Sequence, residues 1–533
     1  MNQPTYTMKD FLDAVEALFH SNDSEIKNKS NKFICEFDKR PEAWNIAMEI
    51  LSTNQLKEEA YYNAIQLLKA KIKYDFGNAL DKKELVMNTL IFLIDNIDKF
   101  KTSMHYIISN FCQVFAMTMV FSGDNFKQAM KLCVDKLNDQ KSIENLLSLL
   151  MIFNFLAEAN ANEQIVIDET NKAIFSNNLK EIEGDVMAYL NFIVKSIITN
   201  QNAFPNVKNI EQYKKLFSDN VLEAFTNWTK FDLEGKALTR LDTDFIDVLN
   251  FIFTIEQNNM QKHAECICML LQLPLESPEM QNLAKLVFSK ILPYKDILYQ
   301  TSIDSLDIEE TGFFIDVFCT LAQNNLDQIF TEKRFDLIKI IVDLTKQSDP
   351  IKISNIIDFW IMFMQYVFNK RIKTEEILVI FKPMFIELVM NMMKLMQFDK
   401  TIFGELNVKK TKEFRNSDEY NAVKDFRDSL KEFFIDFARD YTFEFIYGEI
   451  LFPQITKTVE EIKTKPNELQ CWSRLEVLLY TFNCTAREIN ADGDLAFLHT
   501  LFDTIFQVPK EFAQITRTVT DILDTINSLL SKK

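Results

Sequence analysis

From residue 61 to 76 the chain reads YYNAIQLLKAKIKYDF. Tyr61, Ile65, Leu68, Ile72 and Phe76 recur at intervals of three and four, the spacing that an α-helix gathers onto one buried face. The same rhythm, broken by short polar stretches, runs along the whole chain and predicts helix after helix. Start signals recur with it. SDP at 348–350 and ESPE at 276–279 place a capping residue ahead of a proline at the first helical position, and KRPEAW, TKPNEL and QVPKEF put proline at or just before three further starts. The pattern predicts about eleven helical pairs and one last helix, at roughly 40 to 50 residues per pair.

Two of the second helices are apolar nearly all round: DFIDVLNFIFTIEQ at 244–257 and NIIDFWIMFMQYVF at 355–368. A helix with two apolar sides is sandwiched between neighbours, which favours stacked repeats over separate bundles. The expected fold is therefore all-α, a HEAT-repeat superhelical solenoid of antiparallel helix pairs, with Trp44, Ile65, Ile72, Phe251 and Trp360 in its core. No long linker interrupts it. The expected organisation is a first domain of two pairs over 1–80, further repeats over 81–270, and a last block over 271–533. Within that block the lysine-rich DKTIFGELNVKKTKEFRNSDE at 399–419 reads as an inserted loop. The last helix carries Phe512, Ile515, Val519, Ile522, Ile526 and Leu529 on one side. Solenoids normally end on a polar outer face, so a shortened chain or a helix folded back as a cap are both open.

Composition narrows the function. Among 533 residues only 8 are glycine, while 48 are phenylalanine and 20 methionine. Phosphate-cradling loops and tight hairpins need glycine; large flexible apolar side chains suit helix-to-helix packing. A net charge of −18 disfavours nucleic acid as a direct ligand and favours basic partners. The eight cysteines form no C-x-x-C pair, and Cys266 and Cys268 point in different directions on a helix, so reduced thiols of an intracellular protein are expected and no metal site. The polar start MNQPTYTMKD is unlike a secretion signal, and the most apolar tract, 356–396, is too interrupted by charge and proline to insert in a membrane. His20, His105, His263 and His499 are far apart and match no catalytic spacing. An enzyme is not expected, nor a cofactor. Asp304, Asp307, Glu309 and Glu310 cluster just before and within the start of a helix, where the helix dipole favours them; their alternative role is a patch that attracts a basic partner.

The N-terminal segment carries a resemblance. It opens with an amphipathic helix, continues through KSNKFICEF and Ala43–Trp44, and reaches a helix with Tyr61, Tyr62, Ala64, Leu68, Lys69, Lys71 and Ile72 in the pattern aromatic-aromatic-x-Ala-x-x-x-Leu-Lys-x-Lys-Ile. This resembles the N-terminal domain of importin-β superfamily receptors, most closely the transportin-SR and importin-thirteen branch. Fainter likeness follows in order through ECICMLL, IIDFWIMF, FKPMFIELV and WSRLEVLLYTF. Ala70 stands where many relatives have asparagine. The resemblance implies a karyopherin that binds Ran-GTP through its first repeats, touches FG nucleoporins, carries protein cargo (serine-arginine-rich or otherwise basic), and shuttles between cytoplasm and nucleus, as a monomer and in the import direction. Receptors of the branch are much longer, and their region for phosphorylated cargo lies in repeats beyond this sequence. Lys69, Lys73, Lys71, Tyr62 and Gln66 are the residues that the resemblance implies for the Ran contact; on the helical wheel Lys69 and Lys73 share one edge with Tyr62 and Gln66, while Lys71, the lesser candidate, lies on the other. Exchange of Lys69 and Lys73 for glutamate is expected to cost the helix little. A HEAT scaffold for a multi-subunit complex and an α/α-toroid enzyme are the competing readings.

Overall fold

The computed structural model describes residues 6–76, 82–100, 105–138, 142–162, 164–165, 167–200, 204–231, 238–254, 259–273, 278–294, 308–346, 354–406, 418–441, 443–489, 496–506 and 512–531. Among them there is no strand, and no helix is long and apolar enough to cross a membrane. The chain divides into two compact units, Met1–Lys290 and Ile291–Lys533.

In the first unit, successive helices pair: α1 (Met8–His20) with α2 (Ser24–Phe37), α3 (Ala43–Ser52) with α4 (Glu58–Asp75), α5 (Lys82–Phe100) with α6 (His105–Met119), α7 (Phe126–Leu137) with α8 (Ile143–Ala161), α9 (Glu169–Ile193) with α10 (Ile210–Phe231), and α11 (Ile246–Phe253) with α12 (Met260–Leu271). The second members from α4 onward also stack on each other, α4 on α6, α6 on α8, α8 on α10 and α10 on α12. A helix in that row is covered by its pair partner and by two neighbours, which is why α8 is buried nearly all round, from Ile143 through Ala159. Entry into the unit is set by local chemistry. Thr7 and Asp10 form a reciprocal capping box on α1, and the Asp23 carboxylate accepts from the N–H groups of Glu25 and Ile26 at the start of α2.

α13 (Pro278–Ile291) ends at the divide. The second unit continues with α14 (Ile308–Asn324), α15 (Leu326–Glu332), α16 (Phe335–Leu344), α17 (Ser354–Asn369), α18 (Thr374–Met396), α19 (Lys400–Leu406), α20 (Asp418–Tyr441), α21 (Phe452–Thr464), α22 (Leu469–Thr485), α23 (Ala496–Ile505) and α24 (Ala513–Leu530). Here α14, α17, α20, α22 and α24 make the continuous row. Its core is aromatic: Trp360 and Phe363 of α17 meet Phe381 and Phe385 of α18, and Phe385 meets Phe437 and Tyr441 of α20 with ring centroids 4.6–5.1 Å apart.

Ile65, Ile72, Phe251 and Trp360 are buried as expected. Trp44 is not. It is half-buried at the start of α3, with its ring against Phe76 at 5.1 Å. The stretch 399–419 is not a loop throughout: Lys400–Leu406 is helical, because Phe403 and Leu406 are both buried and Asp399 caps the turn by accepting from the N–H groups of Thr401 and Ile402. The apolar stripe of the last helix is covered within the unit, Ile515, Ile522 and Ile526 being buried where α24 packs on α22.

Candidate binding surface

The row α4–α6–α8–α10–α12 presents one polar edge. It begins on α4, where a rotation of 100° per residue brings Tyr62, Gln66, Lys69 and Lys73 to the same side. All four reach toward the following repeats. Tyr62 meets Tyr106 edge to face at 5.6 Å; the Gln66 amide donates to Asn110 Oδ1 at 2.9 Å. Lys69 Nζ donates to Gln113 Oε1 at 2.6 Å and to Asn110 Oδ1 at 3.3 Å. Lys73 Nζ donates to Gln164 Oε1 at 2.6 Å and lies 5.0 Å from the centre of the Tyr74 ring. Both ammonium groups are thus held by neutral amide oxygens, which orient a charge without cancelling it.

The edge continues with opposite sign. Gln113 Nε2 donates to Glu158 on α8 at 3.3 Å. Asn227 on α10 donates to Asn154 on α8 at 2.8 Å, and Asn154 donates to Glu223 at 3.2 Å. Lys262 on α12 closes the ladder by pairing with Glu223 and, at 3.7 Å, with Asp219. Burial raises the pKa of Glu158, against the pull of Lys69 and the Gln113 hydrogen bond and with the help of Glu223. Burial likewise lowers the pKa of Lys69, against the attraction of Glu158. The surface therefore runs from two amide-held cations to a stretch of carboxylates.

Lys71 is absent from it. Its side chain is buried on the other edge of α4, where its charge and a hydrogen bond from the Tyr6 N–H at 3.0 Å act on Glu42. The packing also changes the expected cost of charge reversal. A glutamate at 69 would face the amide oxygens of Gln113 and Asn110 and the field of Glu158, whereas one at 73 would meet the single amide oxygen of Gln164, so reversal costs more at 69 than at 73. Of the acidic cluster, Asp304 and Asp307 lie outside the described residues, and Glu309 and Glu310 fall in the first turn of α14. The partners on α6, α8, α10 and α12 escaped the sequence reading; their signal is a polar residue set in each otherwise apolar second helix, such as Asn110 in IISNFCQVF and Asn154 in LLMIFNFLA.

Among the described residues no group of three histidine, cysteine or acidic side chains could hold a metal. His263 is a core residue, its Nδ1 2.9 Å from the Ile252 carbonyl oxygen and its ring against Phe251. Cys266 is buried beside Thr226, and burial pushes its thiol up to about 12.

No protein-family model matches the chain. In sequence it is 21% identical over 539 residues to the mRNA transport regulator MTR10 of Saccharomyces cerevisiae, an alignment spanning 95% of this chain and 49% of that protein. Over 69 residues it is 39% identical to an uncharacterised protein of Schizosaccharomyces pombe, covering 13% of this chain and 7% of the other. In fold it superposes on importin 13 in its cytosolic state with a TM-score of 0.57 and 13% identity, over 84% of this chain and 51% of that one. The chain is similar in sequence to MTR10 and in fold to importin 13. It spans about half the length of MTR10, and its architecture of stacked helical pairs is the HEAT type that the pattern predicted.

Proposed function

We propose that this chain is a nuclear transport receptor, without catalytic activity, which binds Ran-GTP through the α4 edge and carries protein cargo through the pore in the import direction. Its other partners on this reading are FG nucleoporins and a basic, for instance serine-arginine-rich, cargo, and it moves between cytoplasm and nucleus. The observation that carries the reading is the pair Lys69 and Lys73, which stand on one edge of the first stacked second helix with their charge uncancelled by the amides that hold them. The segment around them is also the one whose residues most resemble the superfamily's N-terminal domain. A static HEAT scaffold would share the fold and ignore the nucleotide state of Ran.

The test is capture of Ran locked in its GTP and GDP states. Wild-type chain should retain the GTP form, and Lys73→Glu should lose at least about tenfold in affinity, about 1.4 kcal/mol. Lys69→Gln, which keeps a hydrogen-bonding group against Asn110, separates charge from packing and should also weaken capture. Equal capture of both nucleotide states, or an unchanged affinity in both variants with unchanged melting temperature, would return the α4 lysines to an ordinary solvated edge.

A further inference from the structure

In the second unit a cleft of about 380 Å³ opens between α20, α22 and α24. Its floor is a buried ion pair. Arg427 donates through both terminal nitrogens to the two oxygens of Glu476, at 3.1 and 2.8 Å, and through Nε to the Met396 carbonyl at 2.8 Å. Glu476 Oε1 also accepts from Gln514 at 3.2 Å and Thr518 at 3.0 Å. The guanidinium lies 3.7 Å from the centre of the Phe398 ring and 4.9 Å from that of Tyr480. Every donor of Arg427 that faces the floor is committed, so the pair is a neutral base and not a ligand.

Four further cations line the same cleft: Lys424, Lys431, Arg487 and Arg517. Among the described residues, none of the four has a carboxylate within ion-pair distance or a hydrogen-bond partner. That is unexpected in a chain with 77 acidic and 59 basic residues, where lysines elsewhere pair readily, as Lys463 does with Glu460 and Lys465 with Glu468. Asp428, Asp521 and Asp524 stand on the cleft too, and none of them closes a pair with the four. The positive field is felt at Cys484, where Lys431, Arg427 and Arg487 oppose the rise that burial imposes on the thiol. The four cations outnumber these three carboxylates and pair with none of them, so an anion placed among the four lowers their mutual repulsion.

We propose that this cleft binds a compact polyphosphorylated small molecule, with Lys431 and Arg487 as its principal contacts and Lys424 and Arg517 at the rim. Arginine forks match phosphoryl oxygens in pairs, and lysines neutralise them as point charges. The volume lies at the small end of the range for enclosed ligands, about 300–1,000 Å³. The three carboxylates keep an extended polyanion such as a nucleic acid from spreading beyond the cleft.

Calorimetric titration of the full chain with inorganic tripolyphosphate at low salt tests this. One saturable site is expected. Lys431→Gln and Arg487→Gln should each weaken it at least about tenfold, and the double variant Asp521→Asn/Asp524→Asn should tighten it. Lys463→Gln/Lys465→Gln, on the distant end of α21, should leave it unchanged. If Lys431→Gln lowers the melting temperature, the exposed Arg517→Gln is read in its place, with a severalfold loss expected. Absence of saturable binding, binding insensitive to all three cation variants, or equal affinity for citrate or a polyglutamate peptide would each overturn the proposal.

Discussion

Arg427 and Glu476 show what a single pair of residues can decide in this molecule. Both are buried, and the geometry satisfies the carboxylate from three side chains and the guanidinium from a carboxylate and a backbone carbonyl. Two charges withdrawn from water gain little net stability as a pair, but one left alone is severely penalised. Glu476→Ala should therefore destabilise the chain by about 3–5 kcal/mol, read as a fall in the urea midpoint. Arg427→Met/Glu476→Met should recover most of that loss, since no charge is left stranded. If the double variant is as unstable as the single, the pair contributes through its hydrogen bonds to Met396 and Thr518 and not through mutual neutralisation. The pair was not legible in the sequence. Its members are 49 residues apart on different repeats, and nothing in DFRDSL or SRLEVLL distinguishes a core charge from a surface one. The α4 edge was legible, because helical rotation alone places Tyr62, Gln66, Lys69 and Lys73 together; their acceptors, 41 to 91 residues further on, were not.

Helices were readable from the apolar stripe, but helix ends were not, and the scarcity of glycine is the reason. A helix commonly stops on a residue in the left-handed conformation, usually glycine. Here that duty falls on side-chain-bearing residues: Lys333 at φ 55° closes α15, and Arg371 at φ 54° follows α17. The glycine that is present misleads as well: Gly404 lies inside the helix Lys400–Leu406, which the sequence pattern assigned to a loop. Nor did it show the single π turns at Val194–Ile198 and Ile446–Leu451, since an extra residue in a turn leaves no compositional mark. The left-handed cap carries a testable cost. Lys333 is exposed, so its replacement alters little besides the backbone. Lys333→Gly should stabilise by about 0.5–1 kcal/mol, the relief of the Cβ clash less the entropy glycine adds to the unfolded chain. Lys333→Ala, which keeps the Cβ, should not. Thermal melting of the two variants distinguishes them, and a gain in both would point to the lysine's charge instead.

Across the whole molecule the relevant quantity is the charge of −18. On a solenoid the charged side chains cannot be folded away into a single shell, because each repeat exposes both a first and a second helix. The ladder on α8 and α10 shows carboxylates collecting on the stacked row, with Glu158, Asp219 and Glu223 following the two lysines of α4. Such a field steers basic partners from a distance, and it acts mainly on the rate of encounter. A lysine- and arginine-rich peptide, used as a surrogate cargo for the full chain, should therefore associate at least about tenfold more slowly as salt rises from about 50 to about 300 mM, with a much smaller change in dissociation. Screening confines exposed charges to a reach of about 8 Å at physiological ionic strength, so the loss should be largest over the low end of that range. Stopped-flow mixing reads both rates. The same titration with tripolyphosphate should behave differently: the long-range field of the molecule repels it while the four local cations attract it, and salt weakens both. Its association should consequently vary far less with ionic strength than that of the basic peptide. A peptide association rate independent of salt would mean that the acidic surplus is spread too evenly to guide a partner, and that a basic partner would be recognised by close contact alone.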